Sequence, residues 1–282
     1  MSLLAPSLFL AIIGAVFLWI AARLHFFRLK ELPPVATNLR YPLLGVIGYL
    51  LLFFIVAPFT IRLMGNTLRQ FAAHSPILLM TLFQIISLAW VMAYLVFLCA
   101  IQDKITLHAL WIHPKRTRFS CILEDFGLGI LTCVLVYPII GVVSQVVEFL
   151  IYVLTKTSPV DQVAVRYLKM AKQSPFLLSI ALITILIIAP LVEELVFRGF
   201  LYSYFRKKGS IIKGASLSSL IFALFHFSPE QGMSNISLFA SLFILALFLA
   251  FLYERQRSLF APIALHMTFN SISVIRIFLI SN

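Results

Sequence analysis

Apolar runs recur about eight times along this chain, near residues 3–22, 41–61, 76–101, 127–153, 176–200, 212–228, 236–253 and 258–279. Crossing about 30 Å of hydrocarbon takes roughly 20 helical residues, and most of the runs have that length. Those near 212–228 and 236–253 are the shortest and have the least certain ends. Inside lipid a backbone must satisfy every amide and carbonyl by itself, which leaves helices or a closed barrel. The runs are continuous rather than alternating, so they predict helices. The expected fold is therefore all-α, a polytopic membrane bundle of about eight transmembrane helices. Composition agrees, with 62% hydrophobic and 11% charged residues, against about 45–50% and about 25% in soluble domains.

The charge distribution sets an orientation. No Lys or Arg precedes the first run, whereas Arg23, Arg28 and Lys30 follow it. A cleaved signal has the opposite polarity, so this run reads as a retained span with its N-terminus outside. The net charge of +12 would suit a nucleic-acid partner, but its placement does not. Loops one, three, five and seven hold fourteen basic residues: Arg23, Arg28, Lys30, Arg40, Lys104, Lys115, Arg116, Arg118, Arg206, Lys207, Lys208, Lys213, Arg255 and Arg257. The other side holds seven: Arg62, Arg69, Lys156, Arg166, Lys169, Lys172 and Arg276. This asymmetry is the positive-inside pattern. It places the odd loops in the cytosol and implies a multi-pass protein of the plasma membrane, or of the inner membrane in a bacterium. The implied partners are the lipid bilayer and no nucleic acid. Cys99, Cys121 and Cys133 have neither metal-site nor disulfide spacing. The polar stretch 154–175 admits a short surface helix, because Val163, Tyr167 and Met170 recur at helical spacing.

Charge inside a span is the second constraint. The segment Leu191–Phe200 carries Glu193, Glu194 and Arg198 within six residues, after an uncharged stretch from Phe176 to Leu191. Each such group costs roughly 2.5–3.5 kcal/mol to insert at membrane depth, and by default marks a functional site. Glu194 and Arg198 are spaced i,i+4 with the acid N-terminal, the favoured order for an intrahelical pair. Adjacent helical residues point about 100° apart, so Glu193 faces elsewhere, unpaired and directed at the bundle interior. Pro190 removes the helical hydrogen bond to the carbonyl of Leu186, which would open space beside Glu193.

Two further spans carry a histidine each. Phe222 and His226 share one helical face, and so do His266 and Asn270 in the last span. Measured from the turn near Lys208 and Gly209 at 1.5 Å per residue, Glu193 and His226 each lie about 22–26 Å away and meet at one depth. His266, about 13 Å from Arg257 on the same scale, matches less closely.

Glu-Glu-x-x-x-Arg at Glu193, Glu194 and Arg198, Phe-x-x-x-His at Phe222 and His226, and His-x-x-x-Asn at His266 and Asn270 resemble the three motifs of the CPBP intramembrane proteases. That family takes in the CAAX prenyl endopeptidases and the bacteriocin-immunity (Abi) proteins. The resemblance covers about residues 176–272 and divides the chain into N-terminal transmembrane helices and connecting loops, 1–175, and a catalytic CPBP/Abi-like core, 176–282. It implies an intramembrane endopeptidase that hydrolyses a peptide bond of a membrane-associated or prenylated, CAAX-type substrate. By resemblance, Glu193 and His226 activate water, His266 and Asn270 stabilise the oxyanion, and Glu194, Arg198 and Phe222 support the site, which opens to the cytosolic side. Glu193, His226 and His266 are also a candidate Zn²⁺ ligand set, while a metal-free glutamate mechanism uses the same residues. Two alternatives stand beside this reading. One is a non-catalytic immunity or scaffold relative, which predicts a missing motif residue. The other is a proton-coupled transporter, which predicts inverted repeats.

Overall fold

The computed structural model describes residues 4–29, 33–35, 37–65, 70, 75–112 and 119–280. Lys30, Arg69, Lys115, Arg116 and Arg118, all used in the orientation argument, lie outside the described residues. Among the described residues ten helices follow one another: α1 Leu4–Arg23, α2 Arg40–Leu63, α3 Pro76–Ala100, α4 Lys104–Trp111, α5 Phe119–Thr155, α6 Val163–Ala171, α7 Pro175–Lys208, α8 Ile211–Phe225, α9 Ser234–Gln256 and α10 Phe260–Ile280. No strand occurs among the described residues, which leaves an all-α membrane bundle. Six helices (α2, α3, α5, α7, α9 and α10) are long and apolar enough to cross a bilayer. Two more, Ser7–Arg23 and α8, are apolar but shorter. The eight apolar runs thus all become helix, with six of full spanning length.

Boundaries differ where polar partners replace lipid. Helix α5 has 37 residues, about 55 Å at the helical rise, so it projects well beyond the hydrocarbon. Helix α7 continues past residue 200 because its last turns dock into the bundle rather than into water. There Glu254, fully buried, accepts from Tyr202 Oη at 2.6 Å, Arg206 Nε at 3.2 Å and Arg257 Nη2 at 3.0 Å. Helix α8 stops at Phe225, three residues short of the predicted end.

The short helices are set by local chemistry. Asp103 caps α4 by accepting from the amides of Ile105 and Thr106, and hydrogen bonding with Thr106, through its side chain first and then its amide, with a smaller part from Ile105, holds the carboxyl below the ordinary aspartate range. Helix α6 is the surface helix that the spacing suggested. It buries Tyr167, Leu168 and Ala171, with the Tyr167 hydroxyl donating to Thr81 on α3 at 3.0 Å.

Helix α7 is the axis. Val192, Leu195, Val196, Phe197 and Phe200 are buried against Tyr49 of α2, Val91 and Leu95 of α3, Phe222 of α8, and Ala246 and Ala250 of α9. A second cluster joins α1, α5, α9 and α10 through Ala21, Cys133, Val136, Leu249 and Leu265. Glycine sets one of these contacts: a Cβ on Gly129 would stand 2.5 Å from the Ala261 carbonyl oxygen. Small residues that let backbones approach are the usual glue between membrane helices, where water supplies no hydrophobic drive. Large apolar side chains such as Phe54, Val96, Leu131 and Phe176 face outward, as a lipid solvent requires.

Candidate active site

The site forms where α7 departs from regular α geometry. Residues Thr184–Ile188 and Leu195–Tyr202 are π-helical, on either side of the α-helical turn Ala189–Glu194. The Ala189 amide bonds Thr184 O, five residues back. In that register the missing Pro190 amide would have faced Ile185 O, so Ile185, and not Leu186 as simple i−4 counting predicts, is the orphaned carbonyl. Asn270 Nδ2 donates to Ile185 O at 2.9 Å. The asparagine of the last motif therefore satisfies the carbonyl that the proline leaves open. π-turns of this kind recur at functional sites.

Glu193 and Glu194 follow directly and point to different partners. Glu194, fully buried, accepts from Arg198 Nη1 at 3.0 Å and from His266 Nδ1 at 2.8 Å through the same oxygen. Spacing within one helix accounts for Arg198, whereas His266 lies 72 residues away and no local spacing reveals it. Arg198, 1% exposed, also donates to the Ala246 carbonyl at 3.3 Å and lies 4.5 Å over the Phe222 ring. Phe222 in turn meets both histidines, with ring centroids 4.8 Å from His226 and 5.9 Å from His266.

Glu193 points to the other side. Its Oε2 lies 3.8 Å from His226 Nε2 and 3.9 Å from His266 Nε2. That oxygen is buried and accepts no hydrogen bond. The Nδ1 of His226 faces the Phe222 carbonyl at 2.8 Å and the Nδ1 of His266 faces Glu194. Both contacts require a proton on Nδ1, which leaves both Nε2 atoms as lone-pair acceptors in the neutral rings. Three acceptors thus converge. Such an arrangement is repulsive unless a donor or a cation stands between them.

The sequence placed His226 deep in a span. The structure places it one residue past the end of α8, half-buried, in a backbone conformation (φ −92°, ψ 4°) that ends the helix. Asn235 at the start of α9 stitches the loop that follows. Its Oδ1 accepts from Ser228 N, and its Nδ2 donates to Ser228 O and Gly232 O.

The donor set is chemically suited to a divalent metal. It offers two neutral Nε2 atoms and a carboxylate, with each imidazole held from behind by a carbonyl or a carboxylate. Tetrahedral ligation at about 2.0–2.1 Å would bring these atoms about 3.3–3.4 Å apart, so each must close by about half an ångström. As they stand, no three such side chains among the described residues are close enough to hold an ion.

Fold and site together define the class: a multi-pass α-helical membrane protein with a glutamate–histidine centre inside its bundle. Residues 175–272 match the family model described as Type II CAAX prenyl endopeptidase Rce1-like. This third of the chain is similar to that family of intramembrane proteases, and all three motifs fall within the match. No curated protein and no solved structure matches the chain.

Proposed function

We propose that the protein is an intramembrane endopeptidase that hydrolyses a peptide bond of a membrane-anchored, CAAX-type substrate, with Glu193 as general base. The observation that carries this reading is the convergence of Glu193 Oε2, His226 Nε2 and His266 Nε2 without a donor among them. A water molecule supplies two donors, one to Glu193 and one to His226. His266 Nε2 stands third, and it donates only when its ring carries a second proton.

The chemistry then balances. Glu193 takes a proton as the water oxygen bonds to the peptide carbonyl carbon, and His266, when both its ring nitrogens carry protons, donates from Nε2 to the developing oxyanion. The tetrahedral intermediate collapses as Glu193 passes its proton to the amide nitrogen and the C–N bond breaks, giving a carboxylic acid and an amine. Where Zn²⁺ is bound, Glu193, His226 and His266 would hold it, and it would supply Lewis-acid activation of the same water. Neither competing reading has support of this kind. Every motif residue is present, against an inactive relative, and no internal repeat supports a transporter.

Depth bears on sidedness. His226 follows a helix of 15 residues and so lies about 22 Å from the basic turn at Arg206–Lys208. A CAAX-type C-terminus arrives from the cytosol, so access from that side needs the His226 end of the bundle to be cytosolic. That orientation is the reverse of the one fourteen basic residues against seven predict.

Glu193→Gln tests the function. Membranes containing the variant should accumulate an uncleaved polypeptide that the wild type trims, at equal enzyme abundance. Equal processing by both would refute the reading.

A further inference from the structure

Hydrolysis needs a hydrogen-bond donor for the oxyanion, and the motif residues offer few. The Nδ1 protons of His226 and His266 are held by Phe222 O and Glu194, and the Asn270 amide is bonded to Ile185 O. His266 Nε2 donates only when its ring carries a second proton. A donor present in every protonation state has to come from elsewhere.

Helix α2, outside the family match, brings one. It runs antiparallel along α7, as three successive turns of one face show. The Tyr41 ring lies 6.2 Å from that of Phe200. Four residues on, a Cβ at Gly45 would stand 3.1 Å from the Phe200 ring and 3.9 Å from Val196 Cγ1. Four residues further is Tyr49, buried in the same core as Val192 and Val196. Residues four apart stack on one helical face, so the register that pairs 41 with 200 and 45 with 196–200 sets Tyr49 opposite 192–193.

Tyr49 is also held rigidly. Its ring packs against Phe225 at 4.7 Å, tilted 30°, and edge-on against Phe53 at 6.3 Å. Phe225 immediately precedes His226, so the contact ties the tyrosine to the loop that presents the histidine. Tyr49 is buried as a residue, and its hydroxyl makes no hydrogen bond among the described residues. Packing alone would be served by phenylalanine. The hydroxyl is the part left unexplained.

We propose that Tyr49 is a further catalytic residue, whose phenol O–H donates to the oxyanion formed when water adds to the substrate carbonyl beside Glu193. The assignment rests on the protease reading above and adds to it a contribution from the N-terminal helices. No bond to Tyr49 forms or breaks. Its proton stays on the phenol and the hydrogen bond strengthens as charge builds on the carbonyl oxygen, so the effect falls on kcat rather than on binding.

The test uses the full chain reconstituted in phosphatidylcholine vesicles, with a farnesylated fluorogenic CAAX peptide as probe and Glu193→Gln as control. Tyr49→Phe keeps the ring contacts and should unfold at the wild-type temperature. Its kcat should fall about 100-fold with KM within about twofold, the loss seen when one oxyanion donor is removed. If Glu193→Gln is inactive and Tyr49→Phe keeps kcat within about threefold of wild type, well inside the loss such a donor commands, the Tyr49 assignment is overturned while the protease reading stands. If the wild type cleaves nothing, or Glu193→Gln is as active as wild type, the reading itself fails and the assignment falls with it. Should Tyr49→Phe prove less stable, its kcat and KM are read at a temperature at which it stays folded, and a kcat within about threefold of wild type there overturns the assignment in the same way.

Discussion

Replacing Glu194 by alanine removes the one carboxylate that serves both Arg198 and His266. Arg198 is 1% exposed and keeps only a 3.3 Å bond to the Ala246 carbonyl and its contact over Phe222. Breaking one side of a buried ion pair costs about 3–5 kcal/mol, because the surviving charge stays buried. The remaining cation–π contact was present before the change and offsets none of this. The His266 Nδ1–H is orphaned as well, and a buried neutral donor left unpaired adds about 1–3 kcal/mol. Together these approach a typical whole-domain stability of about 5–15 kcal/mol, so Glu194→Ala should unfold at a markedly lower temperature in detergent and accumulate poorly in membranes. Glu193→Gln is the contrast. Its Oε2 accepts no hydrogen bond, so an isosteric amide should leave stability within about 1 kcal/mol of wild type, as expected where no buried partner is broken. Adding Arg198→Met to Glu194→Ala removes the stranded charge and should recover most of the lost stability, since apolar replacements of buried pairs are often neutral. Activity should not return, because His266 still lacks the acceptor that fixes its tautomer. Thermal unfolding of the four purified proteins decides the matter. Wild-type stability for Glu194→Ala, or a double variant no more stable than the single one, would refute the reasoning.

Other outcomes follow from the same geometry. Asn270→Ala should lower stability by about 1–3 kcal/mol by stranding Ile185 O, and adding Pro190→Ala should restore much of it by returning a backbone donor, read by thermal unfolding. Gly129→Ala places a Cβ 2.5 Å from the Ala261 carbonyl and should cost about 1–3 kcal/mol or more as α5 and α10 are pushed apart. Gly127→Ala meets open space and should be tolerated, so equal unfolding temperatures for the two would contradict the described packing. Cysteines at Lys207 and Met233, labelled with an impermeant maleimide, should report opposite faces of the membrane. The CAAX-type reading needs Met233 on the cytosolic face, and protection of Met233 with cytosolic labelling of Lys207 would refute that route of access.

Sequence alone determined the class of fold and the identity of the charged groups. Apolar length dictates helices because lipid offers the backbone no partner, and that argument is local. So is the Glu194–Arg198 pair, one turn apart on one helix, and the amphipathic spacing that became α6. The exits of α7 and α8 were not legible. Residues 201–208 stay helical because Glu254, about 50 positions away in sequence, gathers Tyr202 and Arg206, and no periodicity within 201–208 records that.

Only tertiary structure decided the site's wiring. The bond of His266 to Glu194 spans 72 residues and that of Asn270 to Ile185 spans 85. Each depends on how α10 is rotated and set in depth against α7, which side-chain spacing within one helix cannot encode. The π register moves the orphaned carbonyl from Leu186 to Ile185, where Asn270 of α10 meets it. Tyr49 was the furthest from view. An aromatic residue in an apolar helix reads as core from its neighbours alone, and only the antiparallel register of α2 on α7, with its close approach at Gly45, sets it opposite the turn that carries Glu193.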